Sequence, residues 1–221
     1  MKNILIFGDS YSTYEGYIPE GYPTYYSSQG CIKGPSVQKM QVEETWWKRV
    51  VNLTDYNLLL NNSWSGSTIG YTGYEGDCSK TSSFIYRFRK LKEEGFFEKN
   101  VVDMVFVFGG TNDSWSNAPL GEMKFSNWEE KDLFQVLPAV SHFVCTLKSE
   151  LPNAEIIVII NTEIKKEIQD ALEKASEYYG IQYIALKDID KDCGHPTAKG
   201  MLQISEQVLS ILELFDKQIN E

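Results

Sequence analysis

The stretch that decides the fold is residues 4–10, ILIFGDS, in which an apolar run is followed by glycine, aspartate and serine. Consecutive apolar residues of this kind are typical of a strand buried on both faces, as in a parallel sheet. The turn after such a strand lies at its carboxyl end, where open α/β sheets bind their ligands. Ser10 is therefore predicted to lie at the rim of a sheet.

The rest of the chain alternates further apolar runs with helical segments. Including the first, the predicted strands are Asn3–Phe7, Leu58–Leu60, Val101–Phe108, Glu155–Ile160 and Ile181–Leu186. Helical periodicity is found around Glu44–Leu53, at Phe84, Phe88 and Leu91, over Leu133–Leu147 with a possible kink at Pro138, from Ile164 to a stop at Gly180, and from Leu202 to Phe215. Five such units predict a three-layer α/β/α sandwich on a five-stranded parallel sheet, because a barrel needs eight.

The domain organisation follows from what the sequence lacks. Neither a repeat nor a linker divides it, so residues 1–221 are predicted to form a single domain. Two connections, at about 11–43 and 114–128, are too long for tight turns and are candidate binding loops.

The composition excludes several functional classes. The chain has 221 residues and a formal net charge of −10, which disfavours nucleic acid as a partner. Two histidines are too few for a His-rich metal cluster. No apolar segment is long enough for a membrane span or a signal peptide, so we expect a cytoplasmic protein. Its four cysteines, Cys31, Cys78, Cys145 and Cys193, are then expected to be free thiols.

Polar residues follow four of the five predicted strands and would converge on one rim. They are Gly8–Ser10, Asn61–Thr68, Gly109–Asp113 and Asp192–Pro196, whereas Asn161–Glu163 after the fourth strand shows no reactive group. This set is suited to acyl transfer. Ser10 would be the nucleophile, His195 the base and Asp192 the group that holds the imidazole tautomer. The amides of Ser10 and Gly66 and the side chain of Asn112 would bind the oxyanion.

The same blocks resemble those of the SGNH, or GDSL-like, hydrolase family. They read GDS at 8–10, NNSWSGST at 61–68, GTND at 110–113 and D-x-x-H-P at 192–196, in the family's order. The resemblance implies a flavodoxin-like sheet of order 2-1-3-4-5. It also implies ester hydrolysis without a metal or cofactor by Ser10, Gly66, Asn112 and His195, with Asp192 in support. The departures are Tyr11 in place of leucine, a long tyrosine-rich insertion after it, and Cys193 within the last block.

Other conspicuous residues receive structural interpretations. Asp9 and Asp113 are expected to brace the turns after the first and third strands, and His142 is expected to be structural. The glycine-rich residues 70–76, GYTGYEG, lack the spacing of a dinucleotide site and are interpreted as a flexible loop. The aromatic residues of the long loops either pack on the sheet or line a cleft for sugar rings. The candidates for the second role are Tyr14, Tyr25 and Trp115.

The sequence thus predicts a metal-independent serine esterase that forms an acyl-enzyme on Ser10 and hydrolyses a small ester. An O-acetyl group on a carbohydrate is the preferred substrate. The alternatives are a non-catalytic, small-ligand-binding flavodoxin-like module, a lipid or thioester acyl hydrolase, and a phosphoester or metal-dependent hydrolase. If His195 is the base, the acidic limb of the rate profile reports its titration, and a profile flat from pH 5 to 8 would contradict that role.

Overall fold

A five-stranded parallel sheet forms the centre of the protein. The computed structural model describes residues 1–32 and 39–219, with side chains up to residue 212 in the last helix. The strands are β1 (Lys2–Gly8), β2 (Tyr56–Ser63), β3 (Met104–Gly109), β4 (Glu155–Ile160) and β5 (Gln182–Ala185). They lie in the order β2-β1-β3-β4-β5, which confirms the predicted topology. Gly8 pairs with Ser63 of β2 and Phe108 of β3, so the carboxyl ends of three strands meet.

Helices cover both faces of this sheet. They are α1 (Trp46–Leu53), α2 (Phe84–Glu93), α3 (Phe96–Lys99), α4 (Thr111–Trp115), α5 (Val136–Glu150), α6 (Lys166–Tyr179) and α7 (Ala198–Ile219). Leu5 and Phe7 face a core built with α2, α5 and α6, whereas Ile4 and Ile6 face one built with α1 and α7. Because β1 is buried on both faces, its sequence is continuously apolar, and the three-layer α/β/α sandwich is confirmed.

Short elements complete the rim. Three 3₁₀ turns span Ser10–Ser12, Val42–Glu44 and Glu130–Phe134. Two antiparallel ribbons pair Thr72–Gly73 with Gly76–Asp77 and Lys191–Asp192 with His195–Pro196. The first ribbon corrects the flexible-loop interpretation of residues 70–76. It is anchored at its base, where Tyr71 N–H and Thr72 Oγ1 donate hydrogen bonds to the carbonyls of Leu133 and Phe134.

Several predicted boundaries move. β3 begins at Met104 and not at Val101, and α6 begins at Lys166, after Ile164. Pro138 is the third residue of α5, where a missing N–H removes no helical hydrogen bond. Of the predicted loops, residues 114–115 belong to α4, and residues 33–38 lie outside the described part of the chain. The side chain of Phe215 lies outside it as well.

Three further observations concern the ranges 1–32 and 39–219. No helix within them is both long and apolar enough to cross a membrane. The four cysteines all lie in these ranges and form no disulfide with one another. Within the same residues, no group of three or more His, Cys, Asp or Glu side chains is arranged to hold a metal ion.

Candidate active site

Ser10 lies in the 3₁₀ turn that directly follows β1. Asp9 caps this turn, since its Oδ1 accepts a hydrogen bond of 3.0 Å from the Tyr11 N–H, as predicted. Burial of Asp9 raises the pKa of its carboxyl to about 7. At the other end of the turn, Thr13 Oγ1 donates to the Ser10 carbonyl at 3.0 Å. The serine is therefore held at the end of the strand by hydrogen bonds on both sides of it.

His195 reaches this serine from the opposite end of the chain. Its Nε2 lies 2.9 Å from Ser10 Oγ, and its Nδ1 lies 3.4 Å from the carbonyl oxygen of Cys193. Burial of the imidazole lowers its pKa to about 4, the Cys193 carbonyl acts in the opposite direction, and the charge of Lys191 adds to the lowering. The histidine is therefore neutral at pH 7, as a general base must be.

Asp192 stands opposite His195 in the second ribbon, where the two residues are paired. Its Oδ1 lies 3.5 Å from the Cys193 sulfur. Cys193 adopts a left-handed backbone conformation, with φ at 48°, which is uncommon for a residue with a side chain. This tight turn directs the Cys193 carbonyl towards Nδ1. The role of Asp192 in orienting the imidazole stays a prediction.

Aromatic side chains surround the imidazole. The ring of Tyr25 stacks on it at 3.7 Å between centroids with an interplanar angle of 7°. Trp115 meets it edge-on at 5.6 Å and is 41% exposed. Tyr11, noted in the sequence only as a departure from the family's leucine, lies 5.3 Å away and donates a hydrogen bond to the Gly194 carbonyl. Tyr14 is buried within its own loop, where its hydroxyl donates to the Met40 carbonyl at 2.9 Å.

Two of the predicted oxyanion residues, Gly66 and Asn112, lie just after β2 and β3. Asn112 is oriented on both sides of its carboxamide, because Nδ2 donates to the Ser67 carbonyl at 3.0 Å and Oδ1 accepts from the Tyr74 hydroxyl at 3.1 Å. One N–H of the Nδ2 group is left for a ligand. Gly66 lies beside Ser67 in a conformation with φ at 84°, which favours glycine. The Trp64 N–H donates to the Gly8 carbonyl at 3.1 Å and ties this loop to β1.

Two buried ionisable side chains, Asp113 and Arg87, form hydrogen bonds with the backbone of the segments at this edge of the sheet. Asp113 accepts hydrogen bonds from the N–H groups of Ile69 and Gly70, so it braces the loop after β2, and a hydrogen bond with its own backbone N–H braces the turn after β3 as well. Burial raises the pKa of this carboxyl to about 6. Arg87 is fully buried and donates to the carbonyls of Gly8 and Asn62 at the ends of β1 and β2.

The loop after β4, where no reactive group was predicted, contacts the ribbon that carries His195. Lys191 Nζ donates to Thr162 Oγ1 at 2.6 Å and lies 3.1 Å from a carboxylate oxygen of Glu163. The ribbon that carries His195 is thereby attached to the fourth strand. His142 lies on α5, far along the chain from these loops, and its ring meets Trp128 edge-on at 5.3 Å. Burial lowers its pKa to about 4.

A serine and a neutral histidine in hydrogen-bond contact at the carboxyl edge of this sheet define the class of serine hydrolases. The family model for GDSL-like lipase/acylhydrolase matches residues 2–212. The chain therefore belongs to the GDSL-like lipase/acylhydrolase family, and it is a serine hydrolase acting on ester bonds. No curated protein sequence matches it.

Solved structures agree with this assignment. A candidate GDSL-like lipase from Bacteroides ovatus is 37% identical with a TM-score of 0.84, and the match covers 96% of this chain and 98% of that one. Another from Bacteroides uniformis is 38% identical with the same TM-score and covers 96% of both chains. A family two carbohydrate esterase from Clostridium thermocellum, in complex with cellohexaose, shares the fold with a TM-score of 0.64 at 14% identity, over 96% of this chain and 63% of that one.

Proposed function

We propose that this ester hydrolase works through an acyl-enzyme on Ser10, without a metal or cofactor, and removes small acyl groups from carbohydrates. The observation that carries the mechanism is the 2.9 Å contact between His195 Nε2 and Ser10 Oγ. This distance is within the range for direct transfer of a proton from a nucleophile to its base.

The steps follow from this contact. His195 Nε2 takes the Ser10 proton while Oγ attacks the ester carbonyl, and the resulting oxyanion accepts hydrogen bonds from the Ser10 and Gly66 amides and Asn112 Nδ2. Collapse breaks the bond to the alcohol oxygen, to which His195 returns the proton. Water then attacks the acyl-enzyme with His195 again as the base, which releases the acid and regenerates Ser10.

The choice of a carbohydrate substrate has two supports. Trp115 presents an exposed indole beside the imidazole, and aromatic faces suit the apolar faces of sugar rings. Among the proteins that share the fold are carbohydrate esterases and an acetyl xylan esterase from Butyrivibrio proteoclasticus. Because these relatives have low sequence identity to the chain, the likeness itself shows only the shared fold. The carbohydrate substrate is proposed from the exposed Trp115 beside His195, and the relatives' substrates are consistent with it.

The test combines turnover with active-site labelling. We expect purified protein to hydrolyse p-nitrophenyl acetate faster than the octanoate, to be unaffected by a chelator, and to gain one phosphonyl group on Ser10 from a fluorophosphonate with loss of fluoride. Peptide mass spectrometry locates the label. Labelling elsewhere, or activity that the chelator abolishes, would contradict the mechanism, and a preference for the octanoate would contradict the small acyl group.

The contribution of Asp192 is tested by Asp192→Asn. We expect kcat/KM to fall only about tenfold, because the Cys193 carbonyl at Nδ1 continues to select the tautomer that places the lone pair on Nε2. A carboxylate that is essential to a triad costs about 10⁴-fold when it becomes an amide. Steady-state kinetics with p-nitrophenyl acetate distinguish the two sizes of effect, and a loss near 10⁴-fold would make Asp192 a full triad member.

The pH profile is expected to differ from the one that an ordinary histidine would give. The base must be neutral, and burial lowers the pKa of His195 to about 4, so half of kcat/KM is lost near pH 4 and the profile is flat from pH 5 to 8. The sequence alone, by contrast, predicted that a profile flat from pH 5 to 8 would be evidence against His195 as the base. Asp9→Asn is the control, because burial raises the pKa of this carboxyl to about 7. An acidic limb that reports His195 stays near pH 4 in this variant, whereas a limb that reports Asp9 disappears. An acidic limb near pH 6.5, with circular dichroism showing a folded chain, would refute the lowered pKa.

A further inference from the structure

The first ribbon, at Thr72–Asp77, and the loop after β2 line an open cavity of about 400 Å³. Trp64, Ser65 and Gly66 of the loop line it, together with Tyr74 and Glu75 at the tip of the ribbon. The remaining lining residues come from the ends of both segments and from Pro23: Gly73, Gly76, Asp77, Cys78, Thr81 and Ser82. The volume is within the range of small-molecule sites, about 300–1,000 Å³.

This cavity adjoins the residues that would bind the oxyanion. Gly66 is part of its wall, and Tyr74, also in the wall, donates its hydroxyl to Asn112 Oδ1 at 3.1 Å. A substrate whose carbonyl oxygen lies between Gly66 and Asn112 would extend past both residues. The cavity is therefore adjacent to the part of the substrate that lies beside the carbonyl, and neither Ser10 nor His195 belongs to its lining.

The lining indicates the chemistry of that part. Trp64 supplies an aromatic face, and Tyr22 packs against it with ring centroids 4.4 Å apart. Residues with hydroxyl groups or carboxylates also line the cavity: Ser65, Thr81, Ser82, Glu75 and Asp77. Such a lining is unfavourable for a long alkyl chain, whose burial would leave polar groups without partners. It suits a group with one apolar face and several hydroxyls, and the carboxylates would repel an anion.

We propose that this cavity is the subsite for the alcohol part of the substrate and that it binds a neutral sugar ring. The proposal rests on the proposed function, because it takes the acyl group to be small. A two-carbon acyl group needs far less than 400 Å³, which leaves the alcohol as the occupant. Trp64 would stack on the ring, and Glu75 would accept hydrogen bonds from its hydroxyls.

The test compares two esters that carry the same acetyl group, p-nitrophenyl acetate and a mono-acetylated methyl glucoside. We measure the ratio of their kcat/KM values, so that changes in the shared chemistry cancel. Trp64→Ala is expected to lower the ratio of glucoside to p-nitrophenyl ester about tenfold, and Glu75→Gln about fivefold, chiefly through KM. Trp128→Ala, an aromatic truncation beside His142, is the matched control and should leave the ratio unchanged.

The possible outcomes separate the two proposals. If the wild type hydrolyses p-nitrophenyl acetate and labels at Ser10 but both variants keep the ratio within twofold, the sugar subsite is overturned and the proposed function stands. If the wild type labels at Ser10 but never acts on the glucoside, the sugar subsite and the carbohydrate part of the proposed function are both overturned, and the acyl-enzyme mechanism stands. A preference for acetylated glucuronic acid over the glucoside would overturn the neutral sugar as the occupant. If the wild type neither turns over p-nitrophenyl acetate nor labels, the proposed function fails, and the subsite fails with it. Glu75→Gln changes an exposed ribbon tip, so misfolding of Trp64→Ala would still leave a decisive measurement.

Discussion

Ser10→Ala is expected to lower kcat by about 10⁵-fold or more while leaving the fold intact. Without Oγ no acyl-enzyme forms, and the residual rate comes only from the oxyanion donors and from binding. The substitution removes one hydroxyl whose contact is with His195 Nε2, so the free energy of unfolding should change by less than about 1 kcal/mol. Steady-state kinetics and urea unfolding measure the two effects separately.

Ser12→Ala is the matched control for this variant. Ser12 lies two residues further along the same 3₁₀ turn, is equally buried, and accepts a hydrogen bond from Trp46 Nε1 at 3.1 Å. We expect it to lose some stability, to keep activity within about tenfold, and still to react with a fluorophosphonate. If Ser10→Ala retained more than about 1% of the wild-type rate, or reacted with the probe as fast as Ser12→Ala does, another nucleophile would have to be sought.

Arg87→Met is expected to lower the free energy of unfolding by about 3 kcal/mol and kcat/KM by about 10²-fold. Among the residues that the structure describes, Arg87 is the only Lys or Arg that is fully buried, and burial lowers its pKa to about 9. It donates to the carbonyls of Gly8, Asn62 and Ser82. Methionine fills the space over Phe84 but removes the guanidinium donors of the Asn62 and Ser82 carbonyls, whereas the Gly8 carbonyl keeps the Trp64 N–H. A buried carbonyl oxygen left without a donor costs about 1–3 kcal/mol.

The loss of activity has a geometric reason. Gly8 and Asn62 lie at the ends of the two strands that precede Ser10 and the loop of Gly66, so loosening them displaces Ser10 from Gly66, its proposed oxyanion donor. A misplacement of about 1 Å can cost about 10²-fold in rate. Urea unfolding gives the stability, and kinetics well below the transition give the rate. Lys90→Met, on an exposed position of α2, is the control and should change stability by less than about 0.5 kcal/mol.

A second variant separates charge from geometry. Arg87→Lys keeps the positive charge but replaces the planar fork with a single ammonium, which cannot reach donors on both strand ends at once. We expect it to behave like Arg87→Met. Restoration of wild-type stability by lysine would mean that the charge beside Asp9, and not the fork, is what matters. A loss below about 1 kcal/mol in Arg87→Met would show that the carbonyls find other donors.

The sequence by itself determined the fold and the set of candidate residues. Near-continuous apolar runs are forced on strands that are buried on both faces, and the carboxyl ends of parallel strands meet at one edge. For that reason Ser10, Gly66, Asn112 and His195 could be assigned to one rim from their places after the strands. The same periodicity located α1, α2, α5, α6 and α7 but not their exact ends, because caps and first turns depend on contacts outside the helix.

Only the tertiary structure decided how the residues at the rim are oriented and what pKa values their side chains have. The stacking of Tyr25 on His195, the acceptor at Nδ1 and the lowered pKa depend on burial among segments that are distant in the chain. Asp113 braces the neighbouring loop for the same reason. The sequence did contain a signal for the buried arginine. Arg87 lies between Phe84 and Phe88 on the buried face of α2, and a buried cation needs hydrogen-bond partners. Local pattern fixes which face of an element is buried, but which groups meet there is decided by the packing of elements far apart in sequence.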